Sequence, residues 1–196
     1  KVLFYTNGKN VYNSNDVVMQ NGSGLWGHNS STQSAIVIPM PGNSNQYYIF
    51  TVDAQAGSFW VAGTYYGGLA YSIVDMTLNG GLGGVVTKNV GLLTPTAEKV
   101  TAVRHCNGKD IWVITHEWDT NNFYAYLVTS SGIQAPVISS RGIIHQDVGS
   151  GANAEAIGYM KVSPDGTLLG VACDWDLQTL QTFPFDNSTG QVGAPI

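Results

Sequence analysis

Val103-Arg104-His105-Cys106-Asn107-Gly108-Lys109-Asp110-Ile111 lies over Lys161-Val162-Ser163-Pro164-Asp165-Gly166-Thr167-Leu168-Leu169, 58 positions downstream, with the glycines coincident. In the same register Ser130-Ser131-Gly132 falls on Ser188-Thr189-Gly190, and each triplet closes a turn after an apolar run. Two turn signals in one register mark an internal repeat, and a fixed period means a modular architecture. Upstream the unit recurs more loosely as Ala35–Pro39, the turn Pro41-Gly42-Asn43, Tyr47–Val52, a long loop, Ala70–Met76 and Val85–Asn89. Each unit reads strand, turn, strand, loop, strand, turn, strand. Four antiparallel strands at this period predict β-propeller blades, which cover one another's faces around an axis. Ile111-Trp112-Val113-Ile114 and Tyr47-Tyr48-Ile49-Phe50 are continuously apolar, as sheets buried on both faces require.

The remainder of the chain agrees with an all-β class. Short runs rich in Val, Ile, Tyr, Phe and Thr alternate with Asn-Gly, Asp-Gly and Ser-Gly signals, and no long window has helical periodicity. Strands are expected at Val2–Thr6, Asn10–Tyr12, Thr101–His105, Ile111–His116, Phe123–Thr129, Pro136–Ser139, Ile157–Val162, Leu168–Cys173, Thr179–Phe185 and Gln191–Val192, besides those above. The 196 residues therefore form one propeller-like domain of a little under four blades, 1–24 (partial), 25–93, 94–140 and 141–196. That count suggests a portion of a larger propeller.

Composition excludes several functions. Eight Lys plus Arg against a net charge of −5 provide no phosphate-binding stripe, so nucleic acid is not an expected partner. The longest apolar stretch, Ala35–Met40, is too short to span a bilayer. Two cysteines make no disulfide framework, and their register places Cys106 and Cys173 too far apart to bridge. His28, His105, His116 and His145 have no metal-ligand spacing, and they read as lone solvated or turn-bonded histidines. Asp174-Trp175-Asp176 lacks the oxygen count of a calcium loop. No metal and no cofactor are implied, and no nucleophile-elbow motif is present.

Several strings carry a family resemblance: Leu3-Phe4-Tyr5-Thr6-Asn7-Gly8, Val18-Met19-Gln20-Asn21-Gly22-Ser23-Gly24-Leu25, Ser30-Ser31-Thr32-Gln33-Ser34, Tyr47-Tyr48-Ile49-Phe50-Thr51 and Ser163-Pro164-Asp165-Gly166. In that order they resemble the propeller-like region near the start of large surface proteins of gliding bacteria that carry type IX secretion or gliding-motility domains. The resemblance implies an extracellular or cell-surface, adhesin-like protein, and it supplies no catalytic residues.

In a blade the loops between second and third strands share one face. Trp60, Trp118 and Trp175 fall in or beside those loops, with Asp119, Asp174 and Asp176 next to them. Indole platforms edged by acids suit a sugar ring, while wedging between blades is the alternative use of such tryptophans. The expectation is therefore a non-catalytic module that binds a glycan or a surface protein through this face, not an enzyme. Two alternatives stand beside it: a polysaccharide hydrolase or lyase using paired carboxylates, and a structural module completed by self-association or by the rest of the propeller. Against the enzyme, no Glu or Asp sits in an apolar context that would bury it.

Overall fold

A computed structural model describes residues 2–54, 68–146, 154–174 and 178–196, and within them the chain is all-β. Its middle sheet shows why. Along β9 (Ile111–Glu117) consecutive side chains point to opposite faces, so Ile111 and Val113 enter one core while Trp112 and Ile114 enter another. The strands around it are β8 (Thr96–Arg104), β10 (Thr120–Thr129), β11 (Gly132–Ile133) and β12 (Val137–His145). They are ordered β8-β9-β10-β11, and β12 also pairs with β10. Phe123 and Ala125 of β10 join Trp112 and Ile114, whereas Tyr126 and Val128 join Ile111 and Val113.

A sheet apolar on both sides is stable only between two others. On one side lies the four-stranded meander β13 (Met160–Val162), β14 (Leu168–Cys173), β15 (Thr179–Asp186) and β16 (Gln191–Val192), which contributes Met160, Leu169, Val171, Phe183 and Phe185. On the other lies the meander β4 (Ala35–Met40), β5 (Asn43–Val52), β6 (Leu69–Asp75) and β7 (Gly84–Leu93), with Ile38, Tyr48, Phe50 and Leu69 in the shared core. Ile49 points from the far face of β5 into a third core with Val11, Met19 and Leu25.

The 58-residue register holds in three dimensions. His105 N–H donates to the Asp110 carbonyl at 2.9 Å, and the matching Ser163 N–H donates to the Leu168 carbonyl at 2.8 Å. Gly108 and Gly166 adopt φ of 70° and 74°, which only glycine takes without steric cost. The later turn repeats with Gly132 and Gly190, and Gly190 lies so close to the Trp112 indole that a Cβ would meet it at 2.6 Å.

The strands differ from those expected. β1 (Phe4–Thr6), β2 (Asn10–Asn13) and β3 (Val18–Ser23) join the second unit in one seven-stranded sheet. The link is a single parallel pair, Gln20 with Gly84 of β7. β3 itself was not expected, because Asn21-Gly22 reads as a turn. Instead Asn21 takes φ 57° within the strand and donates through Nδ2 to the Val85 carbonyl at 3.0 Å. Likewise β8 starts at Thr96, five residues before the expected Thr101, and carries Glu98 and Lys99 into the interior.

The two-sided burial has a measurable consequence. Ile114→Ala should lower stability by about 3 kcal/mol, since it empties a fully buried position between two sheets. Leu180→Ala, on the exposed face of β15, should change it by less than ~0.5 kcal/mol. Urea unfolding of both variants checks the contrast, and equal losses would contradict this packing.

Candidate functional site

The starts of β4, β8 and β13 converge at the end of the sheets that also carries the β1–β2 and β9–β10 turns. A cavity of about 320 Å³ opens there, lined by Thr6 and Asn7, the Ser31–Ile36 segment, Val100 and Tyr159. The segment before β4 is held by two long-range contacts. Gln33 bonds the backbone of Met160 in both directions, accepting its N–H at 2.8 Å and donating to its carbonyl at 3.1 Å. Thr32 accepts the Gly158 N–H on its hydroxyl at 3.3 Å.

Glu98 stands behind this segment and is fully buried. Its Oε2 accepts the Thr32 backbone N–H at 2.8 Å and the Thr32 hydroxyl at 3.1 Å. Ser31 also lines the cavity, 8% exposed, with its Oγ lacking a partner. The wall is therefore rich in hydroxyls and amides, and a carboxylate is linked to it through Thr32.

Lys99, the next residue, serves the scaffold. Its Nζ donates to the carbonyls of Glu155, Ala156 and Ile157 at 3.2, 2.6 and 3.0 Å, which uses all three ammonium hydrogens. Burial lowers its pKa to about 8, and the Cys173, Glu98 and Asp174 side chains oppose that shift. The clamp fixes the short 3-10 turn Ala154–Ala156, from which the chain leads to Gly158 and Tyr159 at the cavity.

Beside the clamp lies a neutral stack. The imidazoles of His116 and His145 are parallel within 14° at 3.7 Å, and Phe123 meets His116 edge-on at 4.6 Å. His116 Nδ1 lies 2.8 Å from the Glu117 carbonyl and so carries the proton, which leaves Nε2 as a buried acceptor without a partner. Cys173 Sγ is 3.2 Å from His145 Nε2. Burial, aided by the Lys99 charge, lowers His116 to about 3; burial, then His116 and Lys99, lowers His145 further. Burial raises the Cys173 thiol. The pair is thus a neutral thiol donating to a neutral imidazole, not the thiolate–imidazolium pair of a cysteine nucleophile.

The sequence-predicted site residues are dispersed. Trp118 is buried against Ala97 and Ala156, the packing use weighed for it above. Asp119 is exposed on the turn after it, with φ 64°, and Asp174 is exposed at the end of β14. None of the three lines the cavity. Trp60, Trp175 and Asp176 lie outside the described residues. The expected lack of a buried carboxylate is corrected by Glu98 and Glu155, both fully buried. His116 and His145 are likewise not solvated. Cys106 is exposed and Cys173 buried, both as free thiols. Among the described residues no group of three or more His, Cys, Asp or Glu is placed to hold a metal ion. No helix among them is long and apolar enough to cross a membrane.

No family model matches the chain, and no curated protein matches it significantly, so the resemblance to gliding surface proteins stays an expectation from sequence. Solved structures do match. A Bacteroides uniformis protein provisionally named 6-phosphogluconolactonase superposes with a TM-score of 0.50 at 14% identity, over 97% of this chain and 54% of its own. A Bacteroides fragilis protein of the same provisional name gives 0.39 at 16% identity, over 98% of this chain and 68% of its own, and at that score the likeness carries no weight. The chain spans about half the length of the first structure. At such identities the likeness is one of fold. The expectation of a non-catalytic binding module is nonetheless corrected, because the solved chain that shares this architecture bears an enzyme's name.

Two tests address the buried groups. The unfolded chain binds protons at both imidazoles below about pH 6.5, whereas the folded chain does not until near pH 3 for His116 and lower for His145. Stability should therefore fall as pH drops through this window, by up to about 1.4 kcal/mol per pH unit for each histidine. His116→Gln should flatten the slope of urea stability against pH between 6 and 4; an unchanged slope would contradict the neutral stack. Lys99→Met orphans three buried carbonyls and should cost roughly 3 kcal/mol in the same assay.

Proposed function

We propose that the chain belongs to a β-propeller hydrolase that opens the cyclic ester of a sugar acid at the cavity beside Thr32. The finer architecture enters here: the successive meanders β4–β7, β8–β11 and β13–β16 are read as neighbouring blades, and their first strands face the axis. The observation that carries the reading is the buried Glu98 carboxylate, bonded through the Thr32 hydroxyl to a cavity wall of hydroxyls and amides. The fold likeness to a lactonase-named protein supports it. This revives the hydrolase alternative, with a single relayed carboxylate in place of a pair.

The chemistry follows from that geometry. A water held at Thr32 Oγ1 attacks the lactone carbonyl carbon. As the new C–O bond forms, the water gives a proton to Thr32 Oγ1 while Thr32 passes its own to Glu98 Oε2. The ester C–O bond to the ring oxygen then breaks, and that oxygen leaves as a hydroxyl with the proton returned from Glu98. The product is the open hydroxy acid. Burial keeps bulk water from competing for the Glu98 carboxylate, so the relay stays aligned. Tyr159, 65% exposed at the rim, offers a flat face to the C–H side of the sugar.

The test is proton release during hydrolysis of D-glucono-1,5-lactone, followed by pH-stat against the spontaneous rate. Acceleration is expected, with Glu98→Gln and Thr32→Val each lowering kcat/KM about 100-fold or more. Far-UV circular dichroism confirms that the variants remain folded. No acceleration by the wild-type chain, or full activity in both folded variants, would defeat the proposal.

A further inference from the structure

Among the described residues, the cavity wall carries no lysine, arginine or histidine. Resting on the hydrolase reading above, we infer that the substrate is an uncharged, non-phosphorylated sugar lactone. A phosphate dianion held in a cavity needs cationic donors, and Arg or Lys supplies them where phosphate is recognised.

No described Lys or Arg lines the cavity. Lys99 is the nearest in sequence to the buried carboxylate, yet its three hydrogens are committed to carbonyls. Lys88 donates to Asn21 Oδ1 and the Ser23 carbonyl, and Arg141 to the Ser140 carbonyl. Arg104 and Lys109 flank the β8–β9 turn, at the opposite end of the second sheet. Lys9 and Lys161 are exposed and do not line the cavity. Lys1 lies outside the described residues, and stretches 55–67, 147–153 and 175–177 contain no Lys, Arg or His in sequence. The local charge has the other sign: Glu98 lies directly behind Thr32, and the chain as a whole carries −5. A dianion entering this cavity would meet repulsion from a carboxylate in a weakly screened setting.

The lining instead matches neutral hydroxyls. Ser31 Oγ is buried and lacks a partner, and Asn7 and Ser34 add an amide and a hydroxyl. A ring with several hydroxyl groups can satisfy such groups in both donor and acceptor senses.

The experiment compares D-glucono-1,5-lactone with its 6-phospho derivative by pH-stat on the purified chain, alongside calorimetric titration with D-glucose and glucose 6-phosphate. The expected result is a kcat/KM at least tenfold higher for the neutral lactone, and tighter binding of glucose than of its phosphate. Equal or better hydrolysis of the phosphorylated lactone overturns this inference and leaves the hydrolase reading standing. Hydrolysis of neither lactone defeats the hydrolase reading, and the titration then decides the present one: preference for glucose supports it, while preference for the phosphate, or no binding of either, overturns it.

Discussion

The structure depends on one constraint, that a sheet with apolar side chains on both faces must be covered twice. Ile111 to Ile114 cannot be satisfied by a two-layer sandwich, because one face would remain wet. Placing β4–β7 on one side and β13–β16 on the other buries Val113 and Ile114 completely although they point in opposite directions. With the sheets so ordered, their first strands are neighbours, and the ends of those strands form the cavity.

The polar interior is what this arrangement costs. Bringing the starts of three strands together buries the leading residues of β8, and Glu98 and Lys99 are therefore withdrawn from water. Burying a charged side chain without a partner is costly, and these two are compensated locally. Glu98 is bonded by Thr32, and Lys99 by three carbonyls of the segment leading to β13. The same bonds fix both sides of the cavity: Glu98 positions the segment before β4, and Lys99 the segment before β13. The imidazole stack fills the remaining volume between β9, β12 and β14 as packing material with no net charge.

The repeat and the two-faced strands were readable because they rest on local rules, turn chemistry and period-two alternation. The site was not, for reasons visible in particular residues. Thr96-Ala97-Glu98-Lys99 has the composition of a solvated turn, and only contacts with residues far along the chain make it strand. Asn21-Gly22 carries a turn signal that the pairing of β3 overrides. His116 and Cys173 were within reach: alternation puts His116 in the row of Trp112 and Ile114, and Cys173 in the row of Leu169 and Val171, two rows that face each other. Nothing in the sequence brings His145 to them, since the pairing of β10 with β12 is irregular between Thr120 and Asn122. Trp118 was placed on the proper turn, but its ring turns inward onto two alanines.

The clasp made by Thr32 and Gln33 joins residues 126 and 127 positions apart. Closing so long a loop carries a large entropic penalty before any contact rewards it. The cavity wall is therefore completed late during folding, after the sheets have condensed from their local hairpins. Hydrogen bonds rather than apolar area hold it, so it can open locally while the cores stay shut. Ligand entry can use that local opening without disturbing the packed sheets.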